Sequence, residues 1–337
     1  MSYVLLSKEA FINNIRYFTK ETSQQSLIIG LKDNAYGHGI EYIETLAIDS
    51  GLKHCFIRGL ADLNKLSLSS WETVLMLGSI KTNRDKTAHN LHYTVNCISD
   101  LPYFLKGDFV EIKVNTGMNR NGVEIKDVIP VIDFLLLHGV TVKGVFTHFS
   151  SADISEKYTL IQSEVFNSLF AELNEKYPDL KLRSHSANTA AAEYISSNEM
   201  YRVGIGCYGY SSSRNVSRHL KPVLSLYAER MSKRILEVGE SVGYDHRFFK
   251  NEDVAKVLST FDIGYADILV RNNECIPILL HNGMTIVGKV SMDSFSAFID
   301  VDELCVFQNV EHLASRANTT AYDILVNLSR DIKRVVK

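Results

Sequence analysis

Residues 27–40 read LIIGLKDNAYGHGI, an apolar run that ends at a single lysine, Lys32, and is followed by a turn containing Gly37 and Gly39. The run over residues 27–32 is typical of a buried β-strand. A lysine at the end of such a strand is costly unless its charge is paired or its amine takes part in chemistry. The glycines allow the backbone to bend sharply directly afterwards. The stretch therefore predicts a strand that delivers an amine to one end of a sheet.

Short β-type runs alternate with amphipathic stretches from residue 27 to about residue 210. The eight runs lie at residues 27–32, 54–59, 73–78, 93–98, 109–115, 142–149, 182–188 and 201–209. Between them, segments such as KDVIPVIDFLLLHG and SEKYTLIQSEVFNSLFAELNEKY repeat apolar residues at helical spacing. Because parallel strands need helical crossovers, the pattern predicts an α/β fold built on a (β/α)8 TIM-like barrel. An open, doubly wound sheet is the competing topology.

The rhythm of the sequence changes after residue 215. Short β-type runs punctuated by Gly and Asn follow, and a long helical pattern returns only near the C-terminus. This predicts a mainly β C-terminal domain after the barrel. We therefore expect a barrel domain over residues 8–215 and a β domain over residues 216–337, with the N-terminal strand 1–7 pairing with the second domain.

Composition narrows the possible partners and compartment. The 36 Lys+Arg and 39 Asp+Glu of the 337 residues give a net charge of -3, which offers no basic footprint for nucleic acid and favours a small-molecule partner. No apolar run reaches about 18 residues, so we expect no membrane-spanning segment. The five scattered cysteines form no closely spaced pair. This favours reduced thiols in the cytoplasm over a disulfide framework or a zinc site.

Polar side chains follow the predicted strands at their C-terminal ends, where the active sites of barrels lie. The amine of Lys32 can form a Schiff base with an aldehyde such as pyridoxal phosphate. Tyr36 can donate its hydroxyl to a phosphate, and Thr189 stands where a helix should begin and can hold an anion. Taken singly, Lys32 also fits a lysine that reaches solvent, and Thr189 an ordinary helix cap. The polar residues at these ends are Lys32, Lys113, Arg120, His148, Asn188, Thr189 and Arg202.

The segment LKDNAYGHG closely resembles the cofactor-lysine signature of the alanine racemase family, the fold-type III pyridoxal-phosphate enzymes. The resemblance continues, in the family's order, through KVNTGMNRNG, FTHFSSAD, HSANTAA, RVGIGCYGY, SVGYD, DIGYAD and GKVSMDS. It implies an isomerase that interconverts L-alanine and D-alanine and supplies D-alanine for peptidoglycan. The implied cofactor is pyridoxal 5'-phosphate, and the implied assembly is a homodimer with shared active sites.

The resemblance implies a role for each matching residue. Lys32 would hold the cofactor and act as one base, and Tyr244, from the partner subunit, would act as the second base on the opposite face. Arg202 would bond the pyridine nitrogen without giving up a proton. Arg120 would contact the substrate carboxylate, with a carbamylated Lys113 holding it in place. Further residues implied at the cofactor are Tyr36, His148, Asn188, Thr189, Gly204 and Ile205, and those implied at the substrate are Met292, Asp293 and Tyr265.

The sequence departs from the family pattern at several positions. Asp245 follows Tyr244 where the family usually has glycine, and Lys289 stands in place of an arginine. Ser291 replaces the common cysteine before Met292. A further phosphate-binding tyrosine, expected near residues 327–330, is missing. These departures bear on efficiency and substrate range more than on the cofactor site.

Three alternatives stay open at the level of the sequence. A broad-specificity amino-acid racemase would carry the same motifs, because pocket volume cannot be read from them. A non-catalytic pyridoxal-phosphate-binding protein would resemble the barrel but would normally lack the β domain with Tyr244. A metal-dependent barrel hydrolase could use His38, His148, His185 and a carbamylated Lys113. Such sites usually need a His-x-His motif on the first strand, and this sequence offers only GHG there.

Overall fold

The computed structural model describes residues 1–20, 26–80, 88–193, 200–246, 248–249, 255–269 and 278–337. These residues form two compact units. The barrel unit comprises Phe11–Ala35 and Ile43–Lys221, and the β unit comprises Met1–Ala10, Tyr36–Tyr42 and Pro222–Lys337. Cys275 lies outside the described residues. The other cysteines, Cys55, Cys97, Cys207 and Cys305, are free thiols.

The elements are numbered in chain order. The strands are β1 (Tyr3–Leu6), β2 (Leu27–Gly30), β3 (His54–Ile57), β4 (Thr73–Met76), β5 (Leu91–Val95), β6 (Phe109–Asn115), β7 (Val123–Glu124), β8 (Thr141–Phe146), β9 (Arg183–His185), β10 (Tyr201–Val203), β11 (Leu224–Leu236), β12 (Ser241–Val242), β13 (Phe248–Phe249), β14 (Lys256–Phe261), β15 (Phe295–Ala297), β16 (Glu303–Phe307) and β17 (Lys333–Val336). The helical segments are α1 (Lys8–Thr19), α2 (Lys32–Tyr36), α3 (Ile40–Asp49), α4 (Leu60–Leu63), α5 (Ile125–Leu137), α6 (Glu156–Lys176), α7 (Arg214–Ser217), α8 (Glu311–Arg316) and α9 (Ala321–Val326).

The barrel unit is the nearly closed parallel barrel that the alternating sequence pattern predicts. Its strands pair side by side in the order β10-β2-β3-β4-β5-β6-β8-β9. The gap between β9 and β10 is bridged by backbone hydrogen bonds from Met200 to Ser184 (3.2 Å) and from Arg202 to Ala187 (2.9 Å). All four residues of β2 are buried, as expected for a parallel strand covered on both faces.

Helices cover the barrel where the sequence has helical periodicity. In α5 the buried residues are Val128, Val131, Ile132 and Leu135, whose three- and four-residue spacing lines one helix face. The longest helix, α6, begins after Ser155, whose hydroxyl caps it by accepting from the Tyr158 N–H at 3.3 Å. The described residues contain no helix that combines the length and apolarity needed to cross a membrane.

The β unit is organised around one mixed sheet with the order β15-β14-β11-β1-β17, to which β16 adds alongside β11. The N-terminal strand β1 runs antiparallel to β11 and parallel to β17. The core of the β unit contains buried aromatic side chains, among them Phe261 and Phe295, whose ring centroids lie 5.4 Å apart. The helices α8 and α9 precede β17.

Candidate active site

Lys32 follows β2 at the carboxyl end of the barrel, and the chain then makes a left-handed turn. Asp33, Asn34 and Ala35 have φ angles of 53°, 58° and 53° with ψ angles of 50°, 45° and 51°, and Tyr36 has a φ of 52°. Left-handed helical backbone costs an ordinary L-residue about 1–2 kcal/mol. Four such residues in succession therefore require strong support from their surroundings.

Asp62, a buried residue of α4, contacts the backbone of this turn. Its carboxylate accepts hydrogen bonds from the backbone N–H groups of Asp33 (3.4 Å) and Asn34 (3.5 Å) and from that of Arg58 (3.0 Å). Lys65 adds a bond from its Nζ to Asn34 Oδ1 at 3.2 Å. The turn after Lys32 is thus tied to the segment that follows β3, a connection that no local sequence pattern indicates.

Four basic side chains act together on His148, which follows β8. Burial, followed by the positive charges of Arg202, Lys113, Arg120 and Lys32, lowers the pKa of His148 to about 3. Burial, together with Arg120 and Arg202, lowers the pKa of Lys113 to about 8. The sequence-predicted cations from several strand ends therefore share one region of the barrel. Such a concentration of positive charge suits a ligand that carries phosphate or carboxylate groups.

Arg202 lies on β10 with a buried guanidinium that is held by three acceptors. Its Nη1 donates to His185 O at 2.8 Å and to His185 Nδ1 at 2.7 Å, and its Nη2 donates to Thr147 O at 2.5 Å. The Nη2 atom also lies 3.3 Å from His148 Nδ1. These bonds fix the plane of the guanidinium without neutralising its charge.

Glu111 is a buried anion behind Arg202 that sequence reasoning missed. Its Oε2 lies 2.5 Å from His185 Nε2, its Oε1 lies 2.8 Å from His92 Nδ1, and it pairs with Arg183. Burial alone would raise the pKa of Glu111, but Arg183 and His185 outweigh burial and hold it well below its ordinary value. A signal was present in β6, because a glutamate two residues before Lys113 shares its strand face.

His185 connects this anion to Arg202. Burial lowers the pKa of His185 to about 4, so the ring is neutral at pH 7. Its Nδ1 accepts from Arg202, which places the ring hydrogen on Nε2, the nitrogen that faces Glu111. Both ring nitrogens are therefore engaged, which leaves neither for a metal ion. The part of the chain described here holds no cluster of three or more His, Cys, Asp or Glu side chains suited to a metal.

The loops after β9 and β10 are joined through Thr189. Its Oγ1 accepts from the Gly206 N–H at 3.2 Å, at the start of a short 3-10 helix, Ile205–Tyr208, that follows Gly204. A short 3-10 helix, Ala191–Glu193, begins two residues after Thr189. Asn188 fills the capping position, because its Oδ1 accepts from the N–H groups that follow Thr189, those of Ala190 (3.1 Å) and Ala191 (3.0 Å).

The loop after β6 carries Arg120, which is exposed, beside the nearly buried Lys113. The Nζ of Lys113 donates to Asn121 Oδ1, and the amide of Asn121 donates in turn to Asn96 Oδ1 at 2.8 Å. The acceptor that Lys113 contacts is therefore neutral, and the positive charges of Arg120 and Arg202 disfavour the protonated form of its amine.

The remaining predicted site residues lie in the β unit. Tyr36 is buried, and its ring lies 6.1 Å from that of Tyr322. Tyr244 and Met292 are 56% and 54% exposed. The Tyr265 N–H donates to Ser291 O at 3.1 Å, which joins its loop to the segment that contains Met292 and Asp293. The sequence-predicted residues thus divide into a barrel set and a β-unit set.

Three further residues of the β unit, His38, Leu328 and Ser329, bear on predictions made from the sequence. His38 is buried, and its Nδ1 lies 3.0 Å from Tyr36 O, a contact within the turn. Where the additional phosphate-binding tyrosine was expected, Leu328 is buried and the Ser329 hydroxyl accepts from the Asp331 N–H at 3.3 Å.

Comparison with known proteins decides the family. The model of the alanine racemase N-terminal domain matches residues 6–212, and that of the alanine racemase C-terminal domain matches residues 223–336. The chain belongs to the alanine racemase family. Its similarity to other members of the alanine racemase family extends over the full length, as the following relatives show.

The alanine racemase of Campylobacter concisus is 36% identical over 340 residues, which cover 99% of each protein. The alanine racemase of Campylobacter jejuni serotype O:23/36 is 33% identical over 337 residues, which cover 100% of each protein. Among solved structures, alanine racemase of Clostridium difficile 630 superposes with a TM-score of 0.86 at 23% identity, covering 100% of this chain and 95% of that one. The barrel and β unit described above therefore have the fold of the alanine racemase family.

Proposed function

We propose that this chain is an alanine racemase that interconverts L-alanine and D-alanine with pyridoxal 5'-phosphate as cofactor. The observation that carries the proposal is the convergence of Lys32, Lys113, Arg120 and Arg202 on His148 in a chain of this family. The D-alanine would supply peptidoglycan synthesis. We place the reaction in the cytoplasm, which suits the free thiols of the described cysteines.

The barrel residues fit pyridoxal phosphate chemically. Lys32 offers an amine for covalent attachment, and the surrounding positive charge suits the phosphate and the ring hydroxyl. The first N–H groups of the 3-10 helix that begins at Ile205 have no partner within the helix, and the Thr189 hydroxyl can still donate. Residues proposed to hold the cofactor are Lys32, Tyr36, His148, Asn188, Thr189, Arg202, Gly204 and Ile205. When bound, pyridoxal phosphate draws electrons from the α-carbon of the substrate and makes its hydrogen acidic.

Lys32 and Tyr244 of the partner subunit are the proposed proton-transfer groups. In one direction, Lys32 Nζ accepts the α-proton from one face of the substrate and Tyr244 Oη gives a proton to the other face. The reverse direction exchanges the two roles. Two groups are required because one residue on one face would return the proton to the side from which it came.

Arg202 and Arg120 are the proposed positioning cations. The guanidinium of Arg202 keeps its proton, and it is held by His185 O, His185 Nδ1 and Thr147 O. With pyridoxal phosphate bound, it would donate a hydrogen bond to the ring nitrogen without giving up its proton. Arg120 is proposed to bind the carboxylate of alanine, together with the backbone N–H of Met292 of the partner subunit, beside the partner subunit's Asp293. Tyr265 is proposed to line the way by which the substrate enters.

Lys113 is proposed to carry a carbamate that neutralises Arg120. A pKa lowered to about 8 leaves part of the Lys113 amine neutral near physiological pH, and a neutral amine can add to carbon dioxide. As the new N–C bond forms, one C=O π bond of carbon dioxide opens and the nitrogen loses one proton to solvent, which converts the neutral amine into an anionic carbamate. Starting from the protonated Lys113, two protons leave in all and a cation is replaced by an anion. Isotopically labelled bicarbonate tests this step, because a carbamate signal should appear in the wild-type protein and be absent from Lys113→Met.

A homodimer with shared active sites is the proposed assembly. Tyr244 and Met292 are more than half exposed, so the β unit presents them outward. Met231 and Ile235 on β11 are each 63% exposed and add apolar surface to the same unit. Large exposed apolar side chains are typical of interaction surfaces. Sedimentation of the purified protein should give twice the mass of one chain.

The deciding experiment incubates the purified protein with pyridoxal phosphate and L-alanine and detects D-alanine with a D-amino-acid oxidase couple. Borohydride should remove the visible absorbance of the bound cofactor and link it to Lys32. A colourless protein that produces no D-alanine after addition of the cofactor would refute the proposal. Equal rates with L-serine and other amino acids would instead favour a broad-specificity racemase.

A further inference from the structure

The turn that presents Tyr244 has an unusual backbone. Gly243 has a φ of 75°, Asp245 a φ of 63° and His246 a φ of 47°. Glycine adopts such angles freely, and aspartate tolerates them better than most residues because its short side chain can bond locally. Strained backbone of this kind persists where surrounding contacts hold it, and it concentrates at functional sites. The contacts around the turn are therefore informative.

An ion pair connects the turn to the segment that precedes Met292. Lys289 Nζ lies 2.7 Å from Asp245 Oδ2. The Lys289 side chain is only 13% exposed, whereas that of Asp245 is 55% exposed. A largely enclosed ammonium group needs an opposite charge, and the carboxylate of Asp245 supplies one.

Backbone packing and a second hydrogen bond fix the same turn. A Cβ atom on Gly288 would lie 2.7 Å from Val242 O, so the two backbones are in close contact just before the pair. At the other end, Ser241 Oγ lies 2.7 Å from His246 Nδ1. The ion pair is thus one of three connections around Tyr244, and the only one of these three made by charged groups.

By the resemblance described in the sequence analysis, Asp245 stands where the family usually has glycine and Lys289 stands in place of an arginine. We propose that Asp245 and Lys289 form a positioning pair that holds the turn of Tyr244 in the arrangement needed for proton transfer. The inference rests on the proposed role of Tyr244 as a proton-transfer group. The two residues are complementary, since the carboxylate at 245 supplies the opposite charge that the largely enclosed cation at 289 needs.

The experiment compares holoenzyme variants that separate charge from backbone. Asp245→Asn removes the charge but keeps a residue that tolerates a positive φ, and Lys289→Met removes the other charge at similar length. Lys289→Arg keeps the charge and serves as the conservative control. Each variant, the double variant Asp245→Asn/Lys289→Met and Tyr244→Phe are assayed for kcat, for KM, for bound-cofactor absorbance and for thermal unfolding.

We expect either single charge removal to lower kcat about tenfold, because small misplacements of a reacting group have effects of this order or larger. The double variant should be no slower than the singles, and Lys289→Arg should retain most of the rate. The KM for alanine, cofactor absorbance and unfolding midpoint should stay near wild type, which a general structural defect would not allow.

The outcomes separate this inference from the proposed function. Wild-type kcat in Asp245→Asn and Lys289→Met, or losses that simply multiply in the double variant, would overturn the positioning pair while an impaired Tyr244→Phe left the proposed function intact. Wild-type kcat in Tyr244→Phe would overturn both the role of Tyr244 and the inference that depends on it.

Discussion

Two strained turns carry the two proposed proton-transfer groups, and the protein supports them differently. The turn at residues 33–36, directly after Lys32, is left-handed, largely buried and bonded to the carboxylate of Asp62. The turn around Tyr244 also has positive φ angles, but it is exposed and is connected through the Asp245–Lys289 pair. The first turn directly follows the barrel strand β2, and the second lies at the surface of the β unit.

The two turns differ in the kind of contact that holds their strained backbone. A buried hydrogen bond to a charged group contributes about 1.5–3 kcal/mol. A solvent-exposed ion pair contributes about 0.2–1 kcal/mol. Changes around Lys32 should therefore affect stability and catalysis together, whereas changes around Tyr244 should affect catalysis with little change in stability.

The largest effect is expected for Lys32→Ala, which removes one proton-transfer group and the covalent attachment of the cofactor. We expect kcat to fall at least about 10³-fold, because acid–base groups contribute at this level. Borohydride should no longer link the cofactor to the chain, as judged by absorbance of the unfolded protein. Lys126→Ala, an exposed lysine of α5, is the matched control and should racemise normally.

Tyr244→Phe should lower kcat about 10²-fold or more while cofactor absorbance stays unchanged, because only the hydroxyl is removed. The two inactive variants offer a test of shared sites. If subunits of Lys32→Ala and Tyr244→Phe are mixed at random, half of the dimers contain one intact site, so about a quarter of the wild-type activity should return. Lack of recovery despite demonstrated subunit exchange would contradict the shared-site dimer.

Asp62→Asn probes the support of the buried turn. The amide places N–H groups toward N–H donors, so we expect the free energy of unfolding to fall by about 1–3 kcal/mol. Cofactor affinity, measured by fluorescence titration, should weaken as well because Lys32 begins this turn. Asp179→Asn, at an exposed position, should change neither quantity, and an equally stable Asp62→Asn would show that other contacts hold the turn.

Lowering the pH tests the buried network of His185 and Glu111 next to Arg202. The pKa of His185 is about 4 in the folded chain against about 6.5 when unfolded, so between these values the unfolded chain binds more protons. The free energy of unfolding should therefore decrease as the pH is lowered. For His185 alone, the decrease from pH 7 to pH 5 should be about 2 kcal/mol. Glu111, whose lowered pKa adds stability above its unfolded value, extends the loss at lower pH. Urea unfolding at both pH values checks this, and His185→Gln should show a smaller pH dependence.

The smallest effect is expected for the stability of Lys289→Met. Because the Asp245 carboxylate is more than half exposed to solvent, its pair with Lys289 should contribute no more than about 1 kcal/mol to unfolding. Calorimetry of this variant beside Asp62→Asn measures the contrast between the two turns directly. A larger loss in Lys289→Met than in Asp62→Asn would reverse the comparison.

Much of the fold and part of the candidate site could be predicted from local sequence. The eight barrel strands appear as β-type runs because parallel strands are covered on both faces and are rich in apolar residues. The cations at strand ends were found because barrel sites lie at that face, and Lys32, Lys113, Arg120 and Arg202 do act on one histidine. Glu111 and Asp62 were missed, because their importance comes from partners far along the chain.

The sequence by itself determined the alternating order of strands and helices, the place of Lys32 at the end of β2 and the motifs of the family, since each depends on residues close together in the chain. The tertiary structure alone decided that Asp62 supports the left-handed turn, that His185 links Glu111 to Arg202, and that Asp245 meets Lys289. The physical reason is that hydrogen bonds and ion pairs depend on distances of a few ångströms, which are set only when distant segments pack together.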